Sequence, residues 1–133
     1  MRYQFFSLEK KKSIFEKFNY ENIYNHSRLL PFKNYARLII NTIFDKLDEF
    51  YGINLVLNFK KEKNFFPELI KHFEDWLIKY SNYDLEKKKE LKLENKIVYN
   101  LEEQDEYRKA IIDFISGMSD NFAIATFNEI ISF

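Results

Sequence analysis

The sequence YRKAIIDFISGMSDNFAIATFNEII, residues 107–131, carries the clearest helical pattern of the chain. Its apolar residues recur at three- and four-residue steps on both sides of Gly117, which is the spacing that buries one face of a helix. A glycine inside such a pattern costs a helix about 1 kcal/mol against alanine, so it marks a break. The stretch therefore predicts two helices, from Leu101 to about Ser116 and from Ser119 or Asp120 to Ile131, joined by a turn at Gly117 and Met118. Their predicted buried stripes are Tyr107, Ala110, Ile111, Phe114, Ile115 and Met118 in the first, and Phe122, Ala123, Thr126, Phe127 and Ile130 in the second.

Two further helices are marked by proline. Pro31 opens the run PFKNYARLIINTIFDKLDEFY and Gly52 closes it, which matches the preference for proline at the first helical position and glycine just past the end. Pro67 opens the run PELIKHFEDWLIKYS in the same way, and another helix is predicted over Ser7–Phe18 with Ser7 as its N-cap. The residues predicted to face inward are Ala36, Ile39, Ile40, Ile43, Leu47 and Phe50, then Leu69, Ile70, Phe73, Trp76, Leu77 and Tyr80, and finally Leu8, Ile14, Phe15 and Phe18.

Two stretches leave their secondary structure open. The run INLVLNF, residues 53–59, alternates and is rich in strand-forming residues, but an isolated strand has nothing to pair with. Residues 84–100 are highly charged through Glu90 and then alternate, which allows a loop, a frayed helix or a short hairpin with residues 53–59. We therefore predict one all-α domain over residues 1–133, a single bundle of about five helices with a short β-hairpin or an irregular insertion in the middle.

Composition excludes several classes of protein. The chain has no cysteine, which rules out disulfides and Cys-based zinc sites. Its 21 basic and 21 acidic residues balance, so nucleic acid is an unexpected partner. It lacks the roughly 18 consecutive apolar residues of a membrane helix, and its first residues, MRYQFFSLEK, lack the apolar stretch and the small-residue cleavage site typical of a signal peptide. A cytoplasmic protein with no membrane partner is expected.

Charge and aromatic residues are distributed unevenly. Residues 101–133 hold seven acidic and two basic residues, a net charge of −5, so the first hundred residues carry +5 and the two parts are expected to attract each other. Fifteen Phe and nine Tyr predict either a Phe-dominated core or a ring-lined surface that meets another domain. The string NFKKEKNFF, residues 58–66, is consistent with a solvated loop anchored by its rings or with a contact to single-stranded nucleic acid.

Candidate site residues cluster around Gly117. Arg108 and Asp113 lie about 140° apart around their helix, so they do not pair and each needs another partner. Arg108 has the chemistry to bind a phosphate bidentately or to form an interdomain salt bridge. Ser119 or Asp120 is placed to cap the following helix through a side-chain oxygen.

The two histidines give weaker patterns. His72 lies three residues before Asp75 and four after Glu68, which places possible metal ligands on one helical face. Metal sites normally show more ligands than this, and His26 is typical of a hydrogen-bonding residue at a loop or helix end. We therefore predict no metal-binding and no catalytic residue in this chain.

The motif in residues 107–131 resembles the C-terminal signature of bacterial dNTP triphosphohydrolases of the HD superfamily, the dGTPase-like enzymes. In that family a helix with an Arg and an Asp leads into a Gly-Met-Thr-Asp turn, followed by Arg or Asn, an aromatic residue and Ala. The segment ENIYNHSRLL, residues 21–30, and the apolar helix through Phe44 also look like the family sequence upstream of the signature. The positions that match the signature are Arg108, Asp113, Phe114, Ile115, Gly117, Met118, Ser119, Asp120, Asn121, Phe122 and Ala123.

The resemblance implies an accessory domain, the phosphohydrolase-associated region that follows a catalytic HD domain. The family's metal ions are held by a His, a His-Asp doublet and a later Asp, and this sequence has no His-Asp doublet. The resemblance therefore implies no cofactor in this chain but Mg²⁺ or Mn²⁺ in the complete enzyme. It also implies as partners the HD domain or like subunits in a homo-oligomer, and a dNTP as candidate ligand. Nucleotide or interdomain contact would fall on Arg108, Asp113, Ser119 and Asp120.

A different class of function is also consistent with the sequence. A free-standing helical module without enzymatic activity would bind a protein partner through its aromatic surface. A severed accessory domain should self-associate or bind a hydrophobic dye, whereas an independent module should be a well-behaved folded species.

Overall fold

A computed structural model of the chain describes residues 30–52 and 54–132. The chain divides into two compact units, Met1–Leu38 and Ile39–Phe133. The helix predicted over Ser7–Phe18 and the residue His26 lie outside the described ranges. The prediction of a single domain over residues 1–133 therefore stays a prediction.

Helices dominate the described residues. No strand occurs within residues 30–52 and 54–132, so the all-α prediction is confirmed there. The helices of these ranges are α1 (Leu30–Glu49), α2 (Leu55–Glu62), α3 (Pro67–Tyr80), α4 (Leu85–Glu90), α5 (Gln104–Ser116) and α6 (Asp120–Ile131).

The proline and glycine signals locate the long helices well. Pro67 is the first residue of α3, and Pro31 follows the first residue of α1. The end of α1 at Glu49 precedes Gly52 by a short turn. Helix α5 begins three residues later than predicted, because the backbone N–H of Leu101 donates to Asn82 Oδ1 at 2.9 Å instead of opening the helix.

The strand considered for residues 53–59 is wrong, because residues 55–62 form α2. Asn54 caps this helix by accepting a hydrogen bond from the Leu57 N–H at 3.1 Å. The helix then carries Phe59 into the core, where its ring packs edge-on against Phe50 at 5.9 Å. A side-chain cap and one buried ring thus outweigh the alternating pattern, whose Val56 and Leu57 remain exposed.

The hairpin considered between residues 53–59 and 84–100 is also wrong in the described residues. After α4 the chain runs back along the end of α3, where the Val98 and Tyr99 N–H groups donate to the Tyr80 carbonyl at 2.7 and 3.1 Å. The buried Lys88 holds this return, because its Nζ donates to the Lys79 and Asn95 carbonyls at 2.9 and 2.5 Å. This segment is therefore anchored on α3.

Helix α3 lies at the centre of the second unit and packs on α2, α4, α5 and α6. Its Phe73 is fully buried, with ring centroids 5.9 Å from Phe59, 5.9 Å from Tyr107 and 5.1 Å from Phe114. Aromatic rings thus meet at the centre of a core that also contains many aliphatic side chains. One predicted core residue, Ile40, is exposed instead, because α1 turns Ile39, Ile43 and Leu47 inward at four-residue steps. Other buried apolar residues of this core include Leu69, Ile70, Leu77, Ile111 and Phe127.

Two side chains of the acidic C-terminal part bind backbone groups of the preceding part of the second unit. Glu129 on α6 caps the N-terminus of α3, because its carboxylate accepts from the N–H groups of Glu68 and Leu69 at 3.2 and 3.0 Å. The phenol of Tyr107 donates to the Leu47 carbonyl at 2.5 Å. A carboxylate at a helix N-terminus is stabilising. Glu129 therefore stabilises the N-terminal end of α3 instead of pairing with a lysine.

In residues 30–52 and 54–132, no helix has the length and the apolar character needed to cross a membrane.

We expect Phe73→Ala to lower the free energy of unfolding by about 3–5 kcal/mol, because it removes the ring that contacts three others and leaves a cavity. Urea unfolding followed by circular dichroism measures the loss. The matched control is Phe65→Ala, whose ring is 68% exposed and should change stability little. Equal losses in the two variants would contradict the central position of α3.

Candidate functional site: an aromatic groove beside Gly117

A surface groove of about 540 Å³ runs between α3 and the corner that joins α5 to α6. Its α3 wall consists of His72, Asp75, Trp76, Lys79 and Tyr80. Its corner wall consists of Phe114, Gly117, Met118, Ser119 and Phe122. The volume falls in the usual range of binding pockets, about 300–1,000 Å³. Residues of the sequence motif thus meet one face of α3.

The floor of the groove is aromatic. Trp76 lies 4.6 Å from Tyr80 and 6.1 Å from Phe114, measured between ring centroids. Phe122 meets Phe114 edge-on at 6.5 Å and His72 edge-on at 4.9 Å. The Trp76 Nε1 atom is buried and has no hydrogen-bond partner in the described part of the chain. The indole therefore packs against the neighbouring rings with this donor unpaired, at a cost of about 1–3 kcal/mol.

The rim of the groove is polar and of mixed charge. His72 Nε2 lies 3.4 Å from Glu68 Oε2. Asp75 and Lys79 are exposed, and neither side chain forms an ion pair within the described ranges. No three His, Cys, Asp or Glu residues of these ranges are placed to hold a metal ion. The described residues therefore do not fit the divalent metal implied for the complete enzyme.

The Gly117 corner is a helix end without backbone strain. Gly117 has φ −88° and ψ −1°, and its N–H donates to the Asp113 and Phe114 carbonyls at 3.2 Å each. A Cβ at this position would lie 3.7 Å from the Phe114 oxygen and 3.8 Å from the Asp113 oxygen, which are ordinary contacts. The predicted turn is present, and no neighbouring helix comes close enough to Gly117 to exclude a side chain.

Ser119 caps α6, the first of the two capping residues considered. Its Oγ accepts a hydrogen bond from the Phe122 N–H at 3.2 Å. Asp120 is the first residue of α6, and it lines a second depression together with Met118 and Ile40. Each of these acidic and hydroxyl groups therefore serves or flanks a helix N-terminus, where negative charge is stabilising.

Arg108 forms an ion pair inside its own unit. Its Nε donates to Asp48 Oδ1 at 3.0 Å and its Nη2 to Asp48 Oδ2 at 3.3 Å, which makes the pair bidentate. The hydrogen bond and the charge of Asp48 raise the pKa of Arg108 further above its ordinary value. Both groups reach solvent, so the pair contributes mainly to orientation. Arg108 does not line the groove.

Asp113 is engaged by a tyrosine. Tyr99 donates its phenol proton to Asp113 Oδ2 at 2.5 Å, which fits the expectation that Asp113 needs a partner other than Arg108. Burial, then this hydrogen bond and the carboxylate charge, raise the pKa of Tyr99. Burial and a hydrogen bond to Glu74 raise the pKa of Tyr83 in the same way, and burial raises that of Tyr107.

The structure thus separates the predicted site residues into two groups. Gly117, Met118 and Ser119 line the groove, whereas Arg108, Asp113 and Asp120 lie outside it: Arg108 and Asp113 bind other side chains, and Asp120 lines the second depression. Sequence reasoning did not assign Lys79, Trp76 or Phe122 to a site. Trp76 and Lys79 follow His72 by four and seven residues, which places all three on one helix face. That spacing is the sequence signal for these two residues.

We expect Gly117→Ala to leave the free energy of unfolding unchanged or to raise it by up to about 1 kcal/mol. The backbone there suits alanine, and the change restricts the unfolded chain. Thermal and urea unfolding of the two proteins measure the difference. A loss above about 1 kcal/mol would show that the fold itself needs this glycine.

We expect the protein to lose stability as the pH rises above about 10, the ordinary pKa of tyrosine. The phenols of Tyr83, Tyr99 and Tyr107 have raised folded-state pKa values, so the unfolded chain releases their protons first. Their stabilisation is complete at lower pH and declines through the alkaline range. Urea unfolding at a series of pH values measures the decline.

Tyr99→Phe and Asp113→Asn provide the controls for this alkaline effect. Both variants should shrink the decline, because the first removes one raised phenol and the second removes the carboxylate that raises it. Phenolate absorbance that develops for all tyrosines near the ordinary pKa, with the protein still folded, would contradict the interpretation.

Comparison with known proteins locates one family within the chain. Neither a curated protein nor a solved structure matches this chain. Residues 77–129 match the family model of the phosphohydrolase-associated domain. The matched range runs from the last turn of α3 into α6 and contains the Gly117 corner, whereas the upstream resemblance in residues 21–44 lies outside it. The match supports the phosphohydrolase-associated domain family for residues 77–129.

Proposed function

We propose that this chain is the helical accessory domain of an HD-superfamily dNTP triphosphohydrolase of the bacterial, dGTPase-like type. The match of residues 77–129 to the phosphohydrolase-associated domain carries the proposal. The complete enzyme would convert a dNTP into a deoxynucleoside and triphosphate in the cytoplasm. This chain would pack on the catalytic domain, support contacts between like subunits and help to form a nucleotide site.

The surface of the matched segment supports a packing role. Ile112 on α5 and Ile124 on α6 are exposed, at 54% and 38%, so each of these helices carries an apolar side chain that contact with another protein would bury. The corner between these two helices forms one wall of the aromatic groove. The matched helices therefore present both a packed face, toward α3, and apolar groups at the surface.

The hydrolytic step belongs to another domain in this proposal. The sequence has no His-Asp doublet, and the described residues hold no cluster suited to a metal ion. Arg108 would have to leave Asp48 before it could bind a phosphate. We therefore do not assign the contribution to a nucleotide site to Arg108.

The purified chain is expected to release no triphosphate from dGTP with Mg²⁺ or Mn²⁺. An assembly isolated from the source cells through an affinity tag on this chain should contain an HD polypeptide and should hydrolyse dNTPs. A chelator provides the control, since it should abolish that activity. Metal-dependent turnover by the chain alone would overturn the proposal.

The same isolation separates the proposal from the alternative function. An assembly that contains a protein without HD motifs and that hydrolyses no dNTP would favour a free-standing interaction module. The aromatic groove is the observation that keeps this second candidate open, because it is a surface suited to a protein partner.

A further inference from the structure

We propose that the aromatic groove is the docking site for an amphipathic α-helix of a partner polypeptide. The helix would insert apolar side chains between α3 and the Gly117 corner, and would carry one acidic and one basic side chain toward the rim. The inference goes beyond the proposed function, because it names the face and the chemistry of the partner. It does not require that the partner be an HD domain.

The shape of the groove fits a helix. The groove residues of α3 run from His72 to Tyr80, eight positions along one face, which is about 12 Å or just over two turns. The opposite wall is the corner between two other helices. A groove between helices commonly binds the apolar face of an added helix, which inserts side chains spaced three and four residues apart.

The floor has the residues that hold partner proteins most strongly. Trp and Tyr are over-represented among the residues that dominate binding energy, and Trp76 and Tyr80 lie side by side here, partly exposed. Gly117 leaves the lip of the groove open. A Cβ there would meet only backbone oxygens of its own helix within 4 Å, so the fold gives no steric reason for the missing side chain.

The charges on the rim select the partner. Asp75 and Lys79 lie four residues apart, about 6 Å along α3, and neither has an ion-pair partner in the described part of the chain. A nucleotide would bring negative charge near Asp75 as well as Lys79, at a cost. A helix with a base opposite Asp75 and an acid opposite Lys79 satisfies both, which favours a polypeptide over a nucleotide.

Selection from a displayed library of helical peptides tests the proposal. The library would be selected for binding to the intact chain, and the bound peptides sequenced. We expect enriched peptides with large apolar residues three and four apart, flanked by one acid and one base. Trp76 is the single tryptophan of the chain, so its fluorescence should change when such a peptide binds.

Two variants locate the binding. Gly117→Leu should fill the groove and weaken peptide binding at least tenfold, while circular dichroism and unfolding show that the fold persists. Exchange of the rim charges, Asp75→Lys with Lys79→Asp, should reverse the order of acid and base in newly selected peptides. The matched control is Asp105→Lys with Lys109→Asp, an exposed pair at the same spacing on α5 outside the groove, which should leave the selected order unchanged.

Several results would overturn the proposal. A library that yields no enriched helix, or peptides that bind the Gly117→Leu protein as tightly as the original, would exclude the groove as their site. A charge exchange without effect on the selected peptides would exclude the rim pairing. Quenching of Trp76 by dGTP that Gly117→Leu abolishes would assign the groove to a nucleotide instead, and would leave the proposed accessory function standing.

Discussion

The packing of Phe73 against three other rings is the contact on which the second unit depends. It joins α2 through Phe59 and α5 through Tyr107 and Phe114 to one helix, α3. The same helix presents Trp76 to the groove, three residues further along. The core and the groove therefore lie on two faces of the same helix. A shift in the position of α3 changes the packing of the core and the shape of the groove.

The matched family segment does not coincide with a structural boundary. It begins at residue 77, inside α3, so Phe73 and the capped N-terminus of α3 lie outside it. Glu129, the last matched residue, is the one that caps that N-terminus. Residues before the match thus contribute the core contacts of Phe73 and the helix end that Glu129 caps. The folded unit is therefore larger than the matched segment.

Local signals predicted the long helices, and tertiary contacts decided the rest. Periodicity with Pro67 and Gly117 sufficed for α3, α5 and α6, because each buries one continuous stripe. Helix α2 was missed, since the alternation of residues 53–59 is local whereas the burial of Phe59 is not. The Arg108–Asp48 pair and the groove were beyond sequence reasoning for the same reason, because their parts lie some 40 to 60 residues apart in the chain.

Native-state hydrogen exchange across a urea series tests the central position of α3 most directly. If α3 joins the matched helices to the rest of the unit, the slowest-exchanging amides of residues 68–76 should have the same opening free energy as those of α5, because neither helix can open alone. Exchange of residues 68–76 at urea concentrations where α5 and α6 remain protected would contradict it. In that case the matched segment would be stable without the remainder of α3, and the groove would not be preformed.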